Sequence, residues 1–519
     1  MTHANTHAGP TLRRNILATY ASQAWVTLAG ILFVPIYLRF LGSEAYGLVG
    51  FFAVLQVSFG LLDLGLTRTI SRETARFHAD PRPTAALEYR RLVRAMQMLF
   101  LGIAVVGSLI LVALANPIAG HWLRSQTLTI PELRFALQAM GVTVGLRWAG
   151  GLYRGIIVGS ERIAWIAGFN AAIATARFVG VVPVLALVAA TPAVFFTYQL
   201  AVAAIEFAGL AVTAHRTLPH PTTPPPLGWS LAAVRPVLGF SAGIAVTSII
   251  WILVTQTDKL ILSRLLLLAE YGHFTLGVLV AGGVLMATAP IATPLLPRLA
   301  RMEAEGHHTQ LLSLYRVSTQ LVCVLAFALA ATLAAFARQI LWAWTGDADA
   351  SSDAAPVLAL YAVGNAVLAI AAFPFYLQYA KGDLRLHVWG SIGFLVVLIP
   401  SLVTATLTFG TQGAAWTWLG ANVLFLVAWV PVVHRRFTPG LHGPWLSRDV
   451  LPIVLATAVT AAAAMLLAPQ VESRLASAAV AMAGGILVLA AALVASGATR
   501  EQLTTAWRRL NRTRIQTRP

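Results

Sequence analysis

Fourteen long apolar runs, joined by short polar connections, leave this 519-residue chain one environment in which to fold. The runs lie at 16–35, 46–66, 95–115, 135–158, 164–190, 194–214, 237–257, 272–297, 317–337, 354–380, 387–408, 414–433, 450–468 and 476–496. Each is long enough to cross about 30 Å of hydrocarbon as an α-helix. Within lipid a spanning backbone must satisfy its own hydrogen bonds, so helices are expected throughout. Composition agrees: 58% of residues are hydrophobic and 11% charged, with a mean hydropathy of +0.76. A soluble domain carries about 25% charged residues.

The net charge of +17 does not point to nucleic acid. Basic residues sit mostly in the connections, in the pattern that the positive-inside rule describes. With the N-terminus in the cytoplasm, the outward segments hold Arg39, Arg124, Arg134, Lys259, Arg264, Arg338 and Arg474. Three arginines fall inside runs, and the other 26 Lys and Arg residues fall on the inward side. Both termini are therefore expected to be cytoplasmic. Cys323, the one cysteine, lies in an apolar run and makes no intramolecular disulfide or thiolate cluster. The first dozen residues are polar, and no short apolar core with a small-residue cleavage site follows, so the first span is expected to stay as an anchor. No lipidation motif stands at either end.

The organisation expected is a cytoplasmic tail (1–15), a six-span lobe (16–214), a linker (215–236), a second six-span lobe (237–433), a cytoplasmic loop (434–449), two further spans (450–496) and a basic tail (497–519). The linker is proline-rich and reads as a stiff spacer. FLGSEAYGLVGFF (40–52) and SRLLLLAEYGHFTLG (263–277) place a similar Glu-Tyr-Gly element in the first hairpin of each lobe, as parallel repeats would. The two last spans are alanine-rich and uncharged. They are expected to pack on the bundle or to offer a lipid-facing groove.

The three intramembrane arginines carry the functional signal. A charge at mid-membrane costs at least about 3 kcal/mol unless it meets a partner or a wet cavity. Arg147 and Arg154 are seven residues apart and share a helix face with Gly151 between them; Arg177 lies near the middle of the next run. A guanidinium offers a planar fork of donors suited to phosphate and carboxylate. Two readings stand side by side: an anion-binding set, or internal pairing with Asp63 or Glu206, with Arg154 also near enough to the inner surface to snorkel. Asp63, Glu206 and Asp258 are the candidates for ion coupling or charge pairing. Three basic against two acidic residues leave the first lobe's interior positive. Gly155 and Gly159 read as close-packing positions, whereas Gly151 could leave room for a ligand. Asp347 and Asp349 read as a solvated loop, and His307 and His308 as a wetted helix face. No metal-ligand cluster, nucleotide-binding glycine loop or cofactor motif is present, and no connection is large enough for a soluble catalytic domain.

Several segments resemble a known family. FLGSEAYGLVGFF with LLDLGLTRTISRETAR (61–76) is similar to the first hairpin of bacterial O-antigen and polysaccharide flippases of the Wzx type. GLYRGIIVGSERIAWIAGFN (151–170), TQTDKLILSRLLLLAEYG (255–272), PFYLQYAKGDLRLHVWG (374–390) and FGTQGAAWTW (409–418) carry the resemblance on, from about residue 12 to 435. These flippases belong to a superfamily with lipid II flippases and multidrug extruders. The resemblance implies an all-α polytopic protein of the bacterial cytoplasmic membrane, with two six-helix lobes forming a V around a central cavity. The implied cargo is an undecaprenyl-pyrophosphate-linked oligosaccharide bound for O-antigen, capsule or exopolysaccharide, handed on to a polymerase and chain-length regulator. A cationic cavity is expected of such a protein, and Arg147, Arg154 and Arg177 could supply it. Spans thirteen and fourteen go beyond the twelve-helix pattern of many members.

Alternatives are a multidrug extruder or a lipid II-type flippase of the same superfamily, and, from other classes, a polytopic glycosyltransferase, a ligase or an assembly scaffold. An extruder of cationic drugs would want an acidic interior. A transferase would want a large outward loop with a placed catalytic acid.

Overall fold

A computed structural model describes residues 10–78, 82, 84–219, 235–498 and 500. The predicted N-terminal tail through residue 9, the central part of the linker and the basic tail from 501 lie outside the described residues. Every regular element described is helical. The chain divides into two compact units, Met1–Ala269 and Glu270–Pro519.

The first unit contains α1 (Pro10–Leu32), α2 (Val34–Phe59), α3 (Leu66–His78), α4 (Ala85–Pro117), α5 (Ile130–Gly159), α6 (Ile163–Ala174), α7 (Val181–Leu187), α8 (Pro192–Thr217) and α9 (Arg235–Leu265). The second holds α10 (Leu268–Ala281), α11 (Gly283–Ala304), α12 (His308–Ala335), α13 (Ala337–Thr345), α14 (Ala348–Ala371), α15 (Phe373–Ala380), α16 (Arg385–Leu424), α17 (Val430–Phe437), α18 (His442–Pro444), α19 (Leu451–Leu467) and α20 (Arg474–Ala495). The helix that opens the predicted second lobe, α9, thus packs with the first unit, against α2 and α3.

Ten stretches among the described residues are long and apolar enough to cross a membrane. One of them, Arg385–Phe437, takes in two predicted spans. At Gly410 the backbone turns to φ 59°, a region open to glycine at little cost. Beyond it the chain doubles back: Thr417 Oγ1 reaches the carbonyl of Ser401 at 3.5 Å, sixteen residues earlier. In a straight helix those residues would be about 24 Å apart. Predicted spans 16–35, 135–158 and 237–257 are helical as α1, α5 and α9 but fall outside the ten. For α5 the reason is its polar content, which belongs to the site.

In the first unit α5 is the central helix, packed on α3, α4 and α8. Its start is fixed by a capping box, Thr129 Oγ1 and N donating to Glu132 Oε2 at 2.8 and 2.9 Å. Leu152, Ile156, Trp148 and Phe100 form the core between these helices. Small residues let the helices approach. A Cβ on Gly155 would stand 2.7 Å from the Thr67 carbonyl of α3, and one on Gly159 would stand 2.3 Å from the Ser71 carbonyl. Gly151 belongs to the same seam, because its Cβ would meet Thr67 Oγ1 at 3.0 Å. It makes room for α3 and not for a ligand.

In the second unit the last two helices are tied to α12 through buried polar groups. Asp449, 1% exposed, accepts from Arg316 Nε at 2.6 Å, Arg316 Nη2 at 3.0 Å and Gln320 Nε2 at 2.7 Å. Gln320 Oε1 in turn accepts from the Ala498 N–H at 2.8 Å. These helices are therefore integral to the packing of that unit.

Candidate functional site

Arg147 and Arg154 leave one face of α5 two helical turns apart and meet α8. Arg147 Nη2 donates to Gln199 Oε1 at 3.3 Å, and Arg154 Nη2 to Glu206 Oε1 at 3.1 Å. Both pairs are separated by 52 residues. A constant offset means that the two helices run parallel and in register, since antiparallel neighbours would keep a constant sum. Gln199 and Glu206 repeat the seven-residue spacing of the arginines, so two rungs form one polar ladder.

Two further guanidinium donors are held by neutral amides. Arg147 Nη1 donates to Gln56 Oε1 of α2 at 2.8 Å, and Arg154 Nη1 donates to Asn170 Oδ1 of α6 at 2.6 Å. Glu206 also approaches Arg147, with Oε2 at 3.6 Å from Nε, an ion pair too long for a hydrogen bond. The Arg147 and Glu206 side chains are 11% and 12% exposed, and that of Arg154 is 35% exposed. Arg147 also lies over the Phe52 ring at 5.6 Å.

Arg177 comes from a widened turn of helix. Between α6 and α7 the chain over Thr175–Val179 takes a π turn, closed by the Gly180 N–H on the Thr175 carbonyl at 3.0 Å. Pro183 has no N–H to continue an α-helical ladder, which favours a break here. Three side chains take the carbonyls in the turn: Tyr198 hydroxyl donates to Ala176 at 2.8 Å, Gln199 Nε2 to Arg177 at 3.1 Å and Tyr37 hydroxyl to Phe178 at 2.7 Å. Gln199 thereby links the Arg177 backbone to the Arg147 side chain. The Arg177 guanidinium lies over Phe178 at 5.1 Å and makes no hydrogen bond or ion pair with another side chain among the described residues.

The cluster thus gathers three guanidinium groups around one carboxylate. Three buried atoms in it have no hydrogen-bond partner: Arg147 Nε, Arg177 Nε and Glu206 Oε2. Buried donors without acceptors are costly and therefore rare, and two of them stand here on neighbouring cations.

The other sequence candidates lie elsewhere. Asp63 Oδ1 accepts from the Thr67 N–H at 3.2 Å and from the Thr67 hydroxyl, at the start of α3. No arginine among the described residues pairs with it, because the uncapped first turn of α3 takes the carboxylate. Asp258 is fully buried on α9 beside Lys259 Nζ, at 3.1 Å. Asp347 N-caps α14 by accepting from the Ala350 N–H at 3.0 Å. His307 and His308 lie against Glu305 and Glu303 at exposed positions. No group of three or more metal-ligating side chains occurs among the described residues. The amides Gln56, Asn170 and Gln199 carry as much of the site as the charges do. Of the three, Gln199 alone carries a sequence signal, its interval of seven to Glu206 on α8.

An all-helical fold with ten stretches long and apolar enough to cross a membrane defines a class, the multi-pass membrane proteins. Within that class, residues 12–303 match the family described as "Polysaccharide biosynthesis protein", more than half of the chain, and the protein belongs to that family. No characterised protein sequence matches the chain. The fold is similar to lipid II flippase MurJ in an inward closed conformation, with a TM-score of 0.69 over 94% of this chain and 99% of that one, at 12% identity. It is also similar to an inward-facing multidrug resistance MATE transporter of the MOP superfamily (TM-score 0.64, 13% identity, 80% and 94% covered). A MOP superfamily transporter from Pyrococcus furiosus, described as having a binding pocket of reverse polarity, aligns with a TM-score of 0.52 over 82% and 96% at 13% identity. The chain shares the fold of these proteins.

Proposed function

We propose that this protein is an alternating-access flippase for polysaccharide assembly. It moves an undecaprenyl-pyrophosphate-linked oligosaccharide repeat unit from the inner to the outer leaflet of the bacterial cytoplasmic membrane. The observation that carries the reading is the charge balance of the α5–α8 ladder: Arg147, Arg154 and Arg177 against Glu206 alone leave two positive charges in excess. An interior of that sign favours a phosphate-bearing cargo and disfavours a cationic drug. Membership of a polysaccharide biosynthesis family supports the sugar-bearing, lipid-linked class of substrate.

In this reading the diphosphate and sugars enter among the arginines while the polyprenyl tail stays in lipid. The guanidinium groups offset the loss of hydration of the phosphates. Two six-helix lobes, joined by two further C-terminal spans and with both termini cytoplasmic, rock about a V-shaped cavity and expose the headgroup outside. A polymerase and a chain-length regulator then consume it. Outward movement of an anion gains about 2.3 kcal/mol per charge per 100 mV of inside-negative potential.

The deciding experiment reconstitutes the purified protein in liposomes carrying a lipid-linked diphosphate oligosaccharide. Appearance of headgroups in the opposite leaflet, faster with an imposed potential and lost in Arg147→Ala, is the expected result. Equal rates with and without protein would overturn the reading, as would transport of cationic drugs in place of the lipid.

A further inference from the structure

Among the described residues, Glu206 is the one carboxylate paired with Arg147 and Arg154, and it accepts a single hydrogen bond there. Of its two oxygens, Oε1 accepts one hydrogen bond from Arg154 at 3.1 Å, while Oε2 lies 3.6 Å from Arg147 Nε with no hydrogen bond. The arginines do not depend on it for orientation. Gln56 and Gln199 fix Arg147, and Asn170 fixes Arg154, all through uncharged carbonyl oxygens. Amides position these cations and a single removable carboxylate balances them.

We propose that Glu206 is a resident counter-anion which the cargo's diphosphate displaces on binding and which expels the diphosphate on release. The inference rests on the flippase reading and adds a residue to it. With the site empty, Glu206 lowers the cost of holding Arg147 and Arg154 in a dry interior. An incoming diphosphate, with more charge and more acceptor oxygens, takes the guanidinium forks and leaves the amide bonds in place. At the far side the carboxylate returns, competes for the same donors and weakens the complex. The charged groups around it are Arg147 and Arg154 on α5 and Arg177 in the π turn; Tyr37 of α2 lies beside Arg177, its hydroxyl engaged on Phe178.

The test uses the full-length protein in nanodiscs, with farnesyl diphosphate and inorganic pyrophosphate as probes, beside steady-state flipping in liposomes. Glu206→Gln is expected to bind farnesyl diphosphate about tenfold more tightly, which is about 1.4 kcal/mol, while steady-state flipping slows. Glu206→Asp keeps the charge on a shorter arm and is expected to shift binding in the same direction by less. Inorganic pyrophosphate showing the same gain identifies the phosphates as the competing group, and a gain confined to the farnesyl probe overturns displacement by phosphate. A purely structural Glu206 would leave Gln-variant binding unchanged or weaker, with flipping lost through misfolding. That outcome sinks the proposal and leaves the flippase reading intact. Absence of diphosphate binding by every form, with Arg147→Ala flipping normally, sinks both.

Discussion

Arg154 of α5 donates to Glu206 of α8 at 3.1 Å, and one heptad earlier Arg147 meets Gln199 at the same separation of 52 residues. This register decides which side chains share the interior of the first unit. Both helices present one polar residue every second turn, and because they run parallel the rungs coincide.

Arg177 offers the cleanest separation of transport from stability. It is a cation without a side-chain partner among the described residues, close enough to Arg147 to feel its like charge. Removing an unpaired intramembrane charge relieves a cost of roughly 3 kcal/mol on insertion scales. Arg177→Leu is therefore expected to leave thermal stability unchanged or raised while flipping falls at least about tenfold, equivalent to 1.4 kcal/mol. A parallel loss of both would mean that the residue serves the fold alone.

Arg147 and Glu206 should be coupled. Their side chains are almost fully enclosed, and breaking a buried pair by removing one member costs about 3–5 kcal/mol, because the other is left behind. Glu206 keeps its hydrogen bond from Arg154, so Arg147→Met is expected to cost less than that full amount, and Arg147→Met with Glu206→Leu to cost less than the sum of the two single changes. Unfolding in mixed detergent micelles across the double-mutant cycle measures the coupling. Additive losses would show that the 3.6 Å contact carries no energy.

Helix approach at α5 can be tested through its glycines. Gly155→Ala places a methyl 2.5 Å from Ile70 Cγ2 and 2.7 Å from the Thr67 carbonyl, where backbone must yield. Overpacking of this kind costs about 1–3 kcal/mol. Gly168→Ala on α6 meets nothing within 4 Å and is expected to be neutral or slightly stabilising through helix propensity. Thermal unfolding of the two variants side by side gives the comparison.

In the second unit, Asp449→Ala should loosen the two C-terminal helices. The substitution strips partners from Arg316 and Gln320, and Arg316 is 36% exposed, so water recovers part of the loss. A cost of about 2–3 kcal/mol is expected, below the range of about 3–5 kcal/mol for a fully buried pair. Faster hydrogen exchange in α19 and α20 than in α14 would locate it, whereas uniform exchange would argue that these helices are held by apolar packing alone.

Apolar run length and charge placement were enough to read the fold class, because lipid allows a spanning backbone almost no alternative to the helix. The arginines were visible for the same reason: a charge stands out where nearly every neighbour is apolar. Gly151 was misread as room for a ligand, since sequence does not say which side of a helix a small residue faces. Gln56, Asn170 and Gln199 went unnoticed because an uncharged amide in an apolar run costs little enough to be common. The proline-rich stretch 215–236 reads as the linker between lobes, and α9, the helix that follows it, belongs to the first compact unit.

By itself, the sequence determined that this chain lies in a membrane as helices and that it holds cations where charge is expensive. Tertiary structure decided that α5 and α8 run parallel in register, that Glu206 serves two arginines while Asp63 serves a helix start, and that Arg177 is left without a partner side chain among the described residues. The division has a physical cause. Transfer to lipid is a property of each segment alone, whereas pairing depends on which faces of distant segments meet.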